Sequence, residues 1–166
     1  NIMMKAARKA GRSLVKDFRE VENLQVSMKG AGDFVSKADI EAERILKEEL
    51  MGARPNYGWL AEEGGEEPGE DPTRRWIVDP LDGGTNFLHA LPHWAISIAL
   101  EHKGQIVSAV VFDAAKDDGD HIDVTFRTAS DDARSRVMQI VGQRMHSRKA
   151  TRILGVAFDV TREQED

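Results

Sequence analysis

Two aspartates follow a short hydrophobic segment in the stretch RRWIVDPLDGGTNF. Asp79 and Asp82 lie three residues apart, and Pro80 between them favours a turn that can direct both carboxylates to one point. The Leu81 carbonyl adds a third oxygen, and a hard cation such as Mg²⁺ prefers oxygen ligands. The spacing predicts a divalent-metal site, and a solvated Asp-Pro turn is the alternative.

A pair of glycines comes directly after these acids. Gly83 and Gly84 carry no side chain, so their backbone N–H groups can approach an anion closely. If residues 85–89 begin a helix, those N–H groups lie at its positive end. A phosphate site beside a metal site is the arrangement that metal-assisted hydrolysis requires.

Other acids follow a second hydrophobic segment, WLAEEGG. Glu62 and Glu63 could supply a further metal ligand, or they could belong to a solvated acidic loop. Asp39 could orient a water molecule, or it could be an acid near a helix start, which the helix dipole favours. The residues alone leave these alternatives open.

The elements that position these residues follow from hydrophobic periodicity. Apolar residues recur every three or four positions from Met3 to Phe18, which predicts an amphipathic helix. A second helix is predicted from Ser36, which has capping-box spacing to Asp39. Short strands are expected in YGWLA and WIVDP, with a Gly/Pro/Glu-rich loop between them. Two further strands are joined at Lys103-Gly104, a typical hairpin turn.

Composition limits the classes of function. Apolar residues make up 40% of the 166 residues and charged residues 31%, which predicts a folded globular protein. The net charge of −6 disfavours nucleic-acid binding, which needs a basic surface. The chain has no cysteine, so thiolate metal sites are excluded. No apolar run approaches the roughly 20 residues that span a bilayer, and we expect a cytoplasmic protein without a membrane partner.

The motifs GDFVSKAD, WLAEEGG, WIVDPLDGGTNFLHALPHWAISIAL and GQIVSAVVFD together resemble the inositol monophosphatase family over about residues 2–116. The resemblance implies a Mg²⁺-dependent, Li⁺-sensitive phosphomonoesterase that acts on a small phosphorylated metabolite. It also implies a homodimer and an α+β fold, in which helices are layered on a mixed or antiparallel sheet. By position, it implies metal ligation by Glu62, Asp79, the Leu81 carbonyl and Asp82, phosphate contacts from Gly83, Gly84 and Thr85, and catalytic roles for Asp39, Glu62 and Asp79.

The sequence departs from the family pattern at three points. Gly84 stands where the family has a hydroxyl residue that helps to polarise the attacking water. Ala90 replaces a glycine after His89, which predicts strain if that position needs a positive φ. The family's later WDxAA segment, a source of another metal ligand, has no counterpart after residue 116. These departures predict a site with weakened turnover.

Beyond residue 116 three strand-like runs predict an antiparallel three-stranded meander. Residues 120–163 resemble the last strands of a PAS domain, through Gly155, Asp159, Val160 and Thr161; a generic meander is the alternative. The predicted division is therefore 1–116, with the metal and phosphate site, and 117–166, with the PAS-like strands. The alternative function is a non-catalytic chimeric or truncated scaffold, or a PAS-like dimerisation module.

Overall fold

The structure is a computed structural model that describes residues 2–24, 31–116, 121–129, 135–146 and 151–159. In these segments the order along the chain is two helices, three strands, a short third helix and five further strands. The helices are α1 (Ile2–Leu24), α2 (Ala31–Ala53) and α3 (Gly84–Leu88). The strands are β1 (Tyr57–Ala61), β2 (Gly65–Glu67), β3 (Asp71–Asp82), β4 (Ala95–His102), β5 (Gln105–Phe112), β6 (His121–Ala129), β7 (Ser135–His146) and β8 (Thr151–Asp159).

The predicted amphipathic helix is confirmed in α1. Its apolar stripe, including Met3, Ala7, Ala10 and Leu14, is buried in the core. Basic residues on another face reach α2, where Glu49 pairs with the Lys5 ammonium at 2.9 Å and the Lys9 ammonium at 2.8 Å. Apolar burial and charge pairing therefore both hold α1 against α2.

The second helix begins earlier than the sequence pattern predicts. α2 starts at Ala31, so Ser36 lies inside the helix and the predicted capping box with Asp39 is wrong. Asp33 in the first turn suits the positive end of the helix dipole. Phe34 and Val35 pack against the core, and this burial favours the additional helical turn.

The strands form one mixed sheet in the order β2-β1-β3-β4-β5-β6-β7-β8. β1 and β3 are parallel, and the other neighbouring strands are antiparallel. This arrangement, with helices packed on a mixed sheet, confirms the predicted α+β class. The loop predicted between the first two strands is partly wrong, because β2 forms within it as an exposed edge strand of Gly-Glu-Glu.

The parallel pairing of β1 and β3 requires the chain to cross over β1. β2 lies on one side of β1 and β3 on the other, so residues 68–70 pass across the start of β1. A Cβ on Gly69 would overlap backbone atoms of Asn56, Tyr57 and Gly58. A Cβ on Gly58 would lie 3.1 Å from the Arg75 Cβ. A side chain at Gly69 would therefore prevent this crossing, whereas one at Gly58 would require its neighbours to shift by a few tenths of an ångström.

β3 and the following hairpin largely follow the sequence prediction. β3 is longer than WIVDP and contains twelve residues, with a register irregularity between Asp79 and Asp82. The buried Pro80 lies at this irregularity, where a strand tolerates proline. The predicted turn between β4 and β5 is confirmed, since Lys103 and Gly104 have φ values of 52° and 78°.

The main core lies between the two long helices and one face of the sheet. Alternate residues of three neighbouring strands point toward the helices and are buried: Trp76 and Val78 of β3, Ile96 and Ile98 of β4, and Val110 and Phe112 of β5. They pack in one cluster with Leu14 of α1 and Leu46 of α2. This period-two burial fixes the register of each strand.

The last three described strands continue the sheet beyond β5. β5 pairs with β6 from Ser108↔Thr128 to Phe112↔Val124, and β7 and β8 follow in antiparallel order. The connector at residues 117–120 and the positions Val160 and Thr161 lie outside the described residues. The division of the chain at residue 116 stays a prediction.

Candidate metal and phosphate site

The parallel pairing of β1 and β3 brings two predicted metal ligands together. Ala61 at the end of β1 pairs with Val78 of β3, so Glu62 and Asp79 follow at the same edge of the sheet. The Glu62 carboxyl lies within hydrogen-bonding reach of Asp79. Sheet topology therefore joins two acids that are separated by 17 positions in the chain.

Asp79 occupies a half-buried position with neighbouring negative charge. Its Oδ1 accepts a hydrogen bond from the Leu81 N–H at 3.1 Å, which orients the carboxylate. Burial raises the pKa of Asp79, and the charges of Glu62 and Asp82 raise it further. The three acids predicted to bind Mg²⁺ are thus electrostatic neighbours, although Asp82 itself is exposed.

Asp39 reaches the same region from α2. Its half-buried position is the largest cause of a pKa raised to about 7. The charges of Glu63, Asp79, Glu62 and Glu43 add to this shift, in that order. Asp39 Oδ1 is also buried without a hydrogen-bond partner in the part of the chain that the structure describes. An unpaired buried oxygen is costly, and a cation or a donor there would stabilise it.

The donor set fits a hard divalent cation, although the carboxylates are not focused on one point. Among the described residues, no group of three or more His, Asp or Glu side chains is arranged so that it could hold a metal ion. All the predicted ligand atoms are nonetheless oxygens, which suit Mg²⁺. The mutual repulsion of these neighbouring acids and the unpartnered Asp39 Oδ1 are both features that a cation would relieve. The roles of Glu62, Asp79, Leu81 and Asp82 in binding it stay predictions.

The two glycines after Asp82 differ in conformation. Gly83 has a left-handed backbone with φ of 94° and caps α3. A Cβ at Gly83 would lie 2.8 Å from the His93 carbonyl oxygen. Gly84 begins α3, and among the described residues outside its own helix the nearest heavy atom to a Cβ there would be Val35 Cγ1 at 4.0 Å. The helix predicted after the glycines is confirmed, and it ends at Leu88. The phosphate contacts of Gly83, Gly84 and Thr85 stay predictions.

An aromatic cluster fixes α3 beneath this loop. The ring of Phe87 contacts those of Phe18 and Trp94, with centroids 5.2 Å apart in each case. The ring centroids of Phe18 and Trp94 are 5.5 Å apart, so α1, α3 and the residue directly before β4 meet in one cluster. Asn86 Nδ2 also donates to the His93 carbonyl at 2.8 Å. The expected strain at Ala90 is confirmed, since its φ is 55°.

One residue at this site escaped the sequence analysis. Glu43 lies on α2, and its Oε2 accepts hydrogen bonds from the N–H groups of Glu63 at 3.1 Å and Gly64 at 3.2 Å. Its spacing of four from Asp39 placed it on the same helical face. Glu43 lies among other acids in the sequence, however, and only the fold shows that it is buried.

Comparison with known proteins agrees with this fold. The model of the inositol monophosphatase family matches residues 1–152. The chain belongs to the inositol monophosphatase family. This match extends well past residue 116, and the predicted likeness of residues 120–163 to PAS strands finds no support, nor does a chimeric origin.

The chain aligns with less than half the length of each of two curated relatives. The inositol-1-monophosphatase of Rhizobium meliloti is 64% identical over 118 residues, which are 71% of this chain and 44% of that protein. The Nus factor SuhB of Escherichia coli K12 is 40% identical over 118 residues, with the same coverage of 71% and 44%. The chain thus spans under half the length of these curated relatives.

Solved structures show the same fold. The extragenic suppressor protein suhB of Bartonella henselae superposes with a TM-score of 0.66 at 44% identity, over 81% of this chain and 49% of that one. The inositol monophosphatase of Anabaena gives a TM-score of 0.60 at 28% identity, over 81% and 45%. In the described segments, no helix is both long and apolar enough to cross a bilayer.

Proposed function

We propose that the chain is a Mg²⁺-dependent phosphomonoesterase of the inositol monophosphatase type that hydrolyses a small phosphate ester. The observation that carries this proposal is the meeting of Glu62 and Asp79 at one edge of the sheet, through the pairing of Ala61 with Val78. Membership of the family supports it. The relative at 64% identity, named inositol-1-monophosphatase, supports the substrate class.

Three acids would hold the cation, as the donor chemistry suggests. These are Glu62, Asp79 and Asp82, together with the Leu81 carbonyl. When bound, Mg²⁺ supplies a Lewis acid that polarises the phosphoryl oxygen and makes a nearby water a better nucleophile. The N–H groups of Gly83, Gly84 and Thr85 would position the phosphate, because Gly83 holds this loop in a left-handed turn.

Asp39 would serve as the proton acceptor for the attacking water. A general base works best when its pKa lies near the working pH, and in the metal-free protein burial and the neighbouring acids raise the pKa of Asp39 to about 7. Its unpartnered Oδ1 is available to receive that proton. Inhibition by Li⁺, a homo-oligomeric state and a cytoplasmic location are further proposals that rest on the family.

The first prediction tests catalysis directly by measuring phosphate release from inositol 1-phosphate with Mg²⁺ and with EDTA. Asp79→Asn removes a charged ligand, so we expect the rate to fall by about a hundredfold or more. Asp71→Asn is the matched control, since Asp71 lies at the other end of β3 and is held by Thr73 and Arg74. Equal rates for wild type and Asp79→Asn, or release that EDTA leaves unchanged, would contradict the proposal.

A scaffold role is the second candidate, and it is favoured by one observation. The loop carries Gly84 where the family pattern has a hydroxyl residue, and a non-catalytic protein would not need that hydroxyl. Relatives at 40% identity are named Nus factor SuhB, which denotes a different role. Tight self-association without Mg²⁺ binding, measured by size-exclusion chromatography and calorimetry, would favour this candidate over the phosphatase.

A further inference from the structure

Glu43 combines a charge with deep burial. Its exposed fraction is 7%, and it is the one charged residue in the buried class among the side chains that the structure describes. A buried carboxylate is costly unless donors satisfy it. Glu43 Oε2 accepts two backbone N–H groups, from Glu63 at 3.1 Å and from Gly64 at 3.2 Å. Charge-assisted hydrogen bonds of this kind are stronger than neutral ones.

Both donors belong to the turn between β1 and β2. This turn, residues 62–64, begins with Glu62 and leads into β2 at Gly65. A Cβ on Gly64 would overlap Glu43 Oε1, so the bare backbone lies directly against the carboxylate. The turn therefore has little freedom to move while Glu43 holds it.

A second residue of α2 supports the same hairpin. Lys47, one helical turn after Glu43, pairs with Glu67 of β2 at 2.5 Å. Its ammonium also lies 5.8 Å from the centroid of the Trp59 ring on β1. Asp39, Glu43 and Lys47 are spaced by four, so one face of α2 runs along the β1–β2 hairpin.

We propose that Glu43 is a positioning residue for the metal site. Its carboxylate fixes the backbone of the β1–β2 turn and thereby holds Glu62 beside Asp79. Glu43 itself is hydrogen-bonded to backbone groups rather than to the predicted ligands, so it acts through the turn. This inference rests on the proposed function, because the proposed function is what makes Glu62 a metal ligand.

The first arm of the test measures amide hydrogen exchange in metal-free protein. Glu43→Ala removes the oxygen that accepts both hydrogen bonds. Glu43→Gln retains one side-chain oxygen that can accept them. We expect the Glu63 and Gly64 amides to exchange roughly ten- to a hundredfold faster in Glu43→Ala, and less so in Glu43→Gln. Amides of β4 and β5 should be unaffected. Glu48→Ala is the control, since Glu48 lies on the same helix and pairs with Arg44 at the surface.

The second arm measures Mg²⁺ binding by calorimetry. Loss of a group that orients a ligand typically lowers metal affinity by roughly 10- to 100-fold, which we expect for Glu43→Ala, with partial rescue in Glu43→Gln. Glu48→Ala should bind as wild type does. If Glu43→Ala does not fold, Gly64→Ala provides a second route, because its methyl group would push the turn away from Glu43.

The outcomes separate this inference from the proposed function. Wild-type affinity in Glu43→Ala, or exchange that rises equally throughout the protein, would overturn the positioning role. Failure of the wild type to bind Mg²⁺ would refute the proposed function and with it the importance of Glu62. The exchange measurement would still show whether Glu43 holds the turn.

Discussion

At the residue scale, the two glycines at the start of α3, Gly83 and Gly84, are subject to different constraints. Gly83 has φ of 94° and lacks room for a methyl group beside the His93 carbonyl. Gly83→Ala should therefore lower the free energy of unfolding by roughly 1–2 kcal/mol or more. Gly84→Ala is the matched control and should be neutral or slightly stabilising, because alanine favours a helix over glycine. Urea denaturation measures both, and equal losses would contradict the assignment of strain to Gly83.

Gly84 also allows a test of what the site lacks. Among the described residues beyond its own helix and chain neighbours, the nearest heavy atom to a Cβ there would be Val35 Cγ1 at 4.0 Å, so there is room for the Cβ of a threonine. If the family hydroxyl polarises the attacking water, Gly84→Thr should raise the rate of phosphate release on the order of 10²–10⁴-fold. Gly84→Val, which has the same shape without the hydroxyl, should not. Similar rates in both variants would show that the hydroxyl has no such role here.

At the scale of elements, the aromatic cluster joins α1, α3 and Trp94, the residue directly before β4. Phe87 is fully buried at its centre. Phe87→Ala should lower the free energy of unfolding by about 3–5 kcal/mol, because it leaves a cavity. It should also loosen the glycine loop that precedes α3. Urea denaturation checks the first effect.

Leu91 provides the control for this substitution. It lies four residues after Phe87 and is 49% exposed. Leu91→Ala should change stability by no more than about 0.5 kcal/mol. A large loss in Leu91→Ala, or a small one in Phe87→Ala, would show that the cluster does not anchor α3.

Elements with local signals were predictable from the sequence, and those that depend on tertiary contacts were not. The β4–β5 turn follows from Lys103-Gly104, whose left-handed preference is local. The start of α2 was misplaced because Phe34 and Val35 favour helix only through the core they contact. β2 was missed because its three exposed residues show no alternation of apolar and polar side chains. It is a strand because it pairs with β1.

The candidate site divides in the same way. Asp79, Asp82 and the glycines were found because they are consecutive in one motif. The family resemblance implied that Glu62 and Asp79 bind the same metal, and the residues alone did not. Their approach depends on the parallel pairing of β1 and β3. The two hydrogen bonds of Glu43 join residues 20 and 21 positions apart. No local pattern predicts such contacts.

At the scale of the whole molecule, acid should weaken the fold through carboxylates far from the candidate site. Hydrogen bonds from Lys9 and then Lys5 lower the pKa of Glu49 from 4.5 to about 2. Hydrogen bonds from Thr73 and Arg74 lower that of Asp71 from 3.8 to about 2. A carboxyl whose pKa is lowered by folding stabilises the folded state at pH values above its pKa in the unfolded chain. This stabilisation is lost as the pH falls from about 4.5 toward 2.

Glu49→Gln tests this acid dependence. The variant should melt a few degrees below the wild type at pH 7, since it lacks the charge that Lys5 and Lys9 contact. The difference in melting temperature between the two proteins should stay constant above about pH 5. It should disappear near pH 2, where the wild-type carboxylate is protonated. Thermal unfolding across this range is the measurement. A gap of constant size at all pH values would exclude the charge as its cause.

The crossing of Gly69 over Gly58 has a consequence for how the candidate site tolerates change. The site depends on a place where two stretches of main chain touch, ten residues before Asp79 in the sequence and at the opposite end of β1 from Glu62. A bulkier residue at Gly69 would displace β3 from β1 and move Asp79 away from Glu62, although the sequence would still contain both acids. The geometry of the candidate site therefore depends on the small size of Gly69 and Gly58 as well as on the carboxylates themselves.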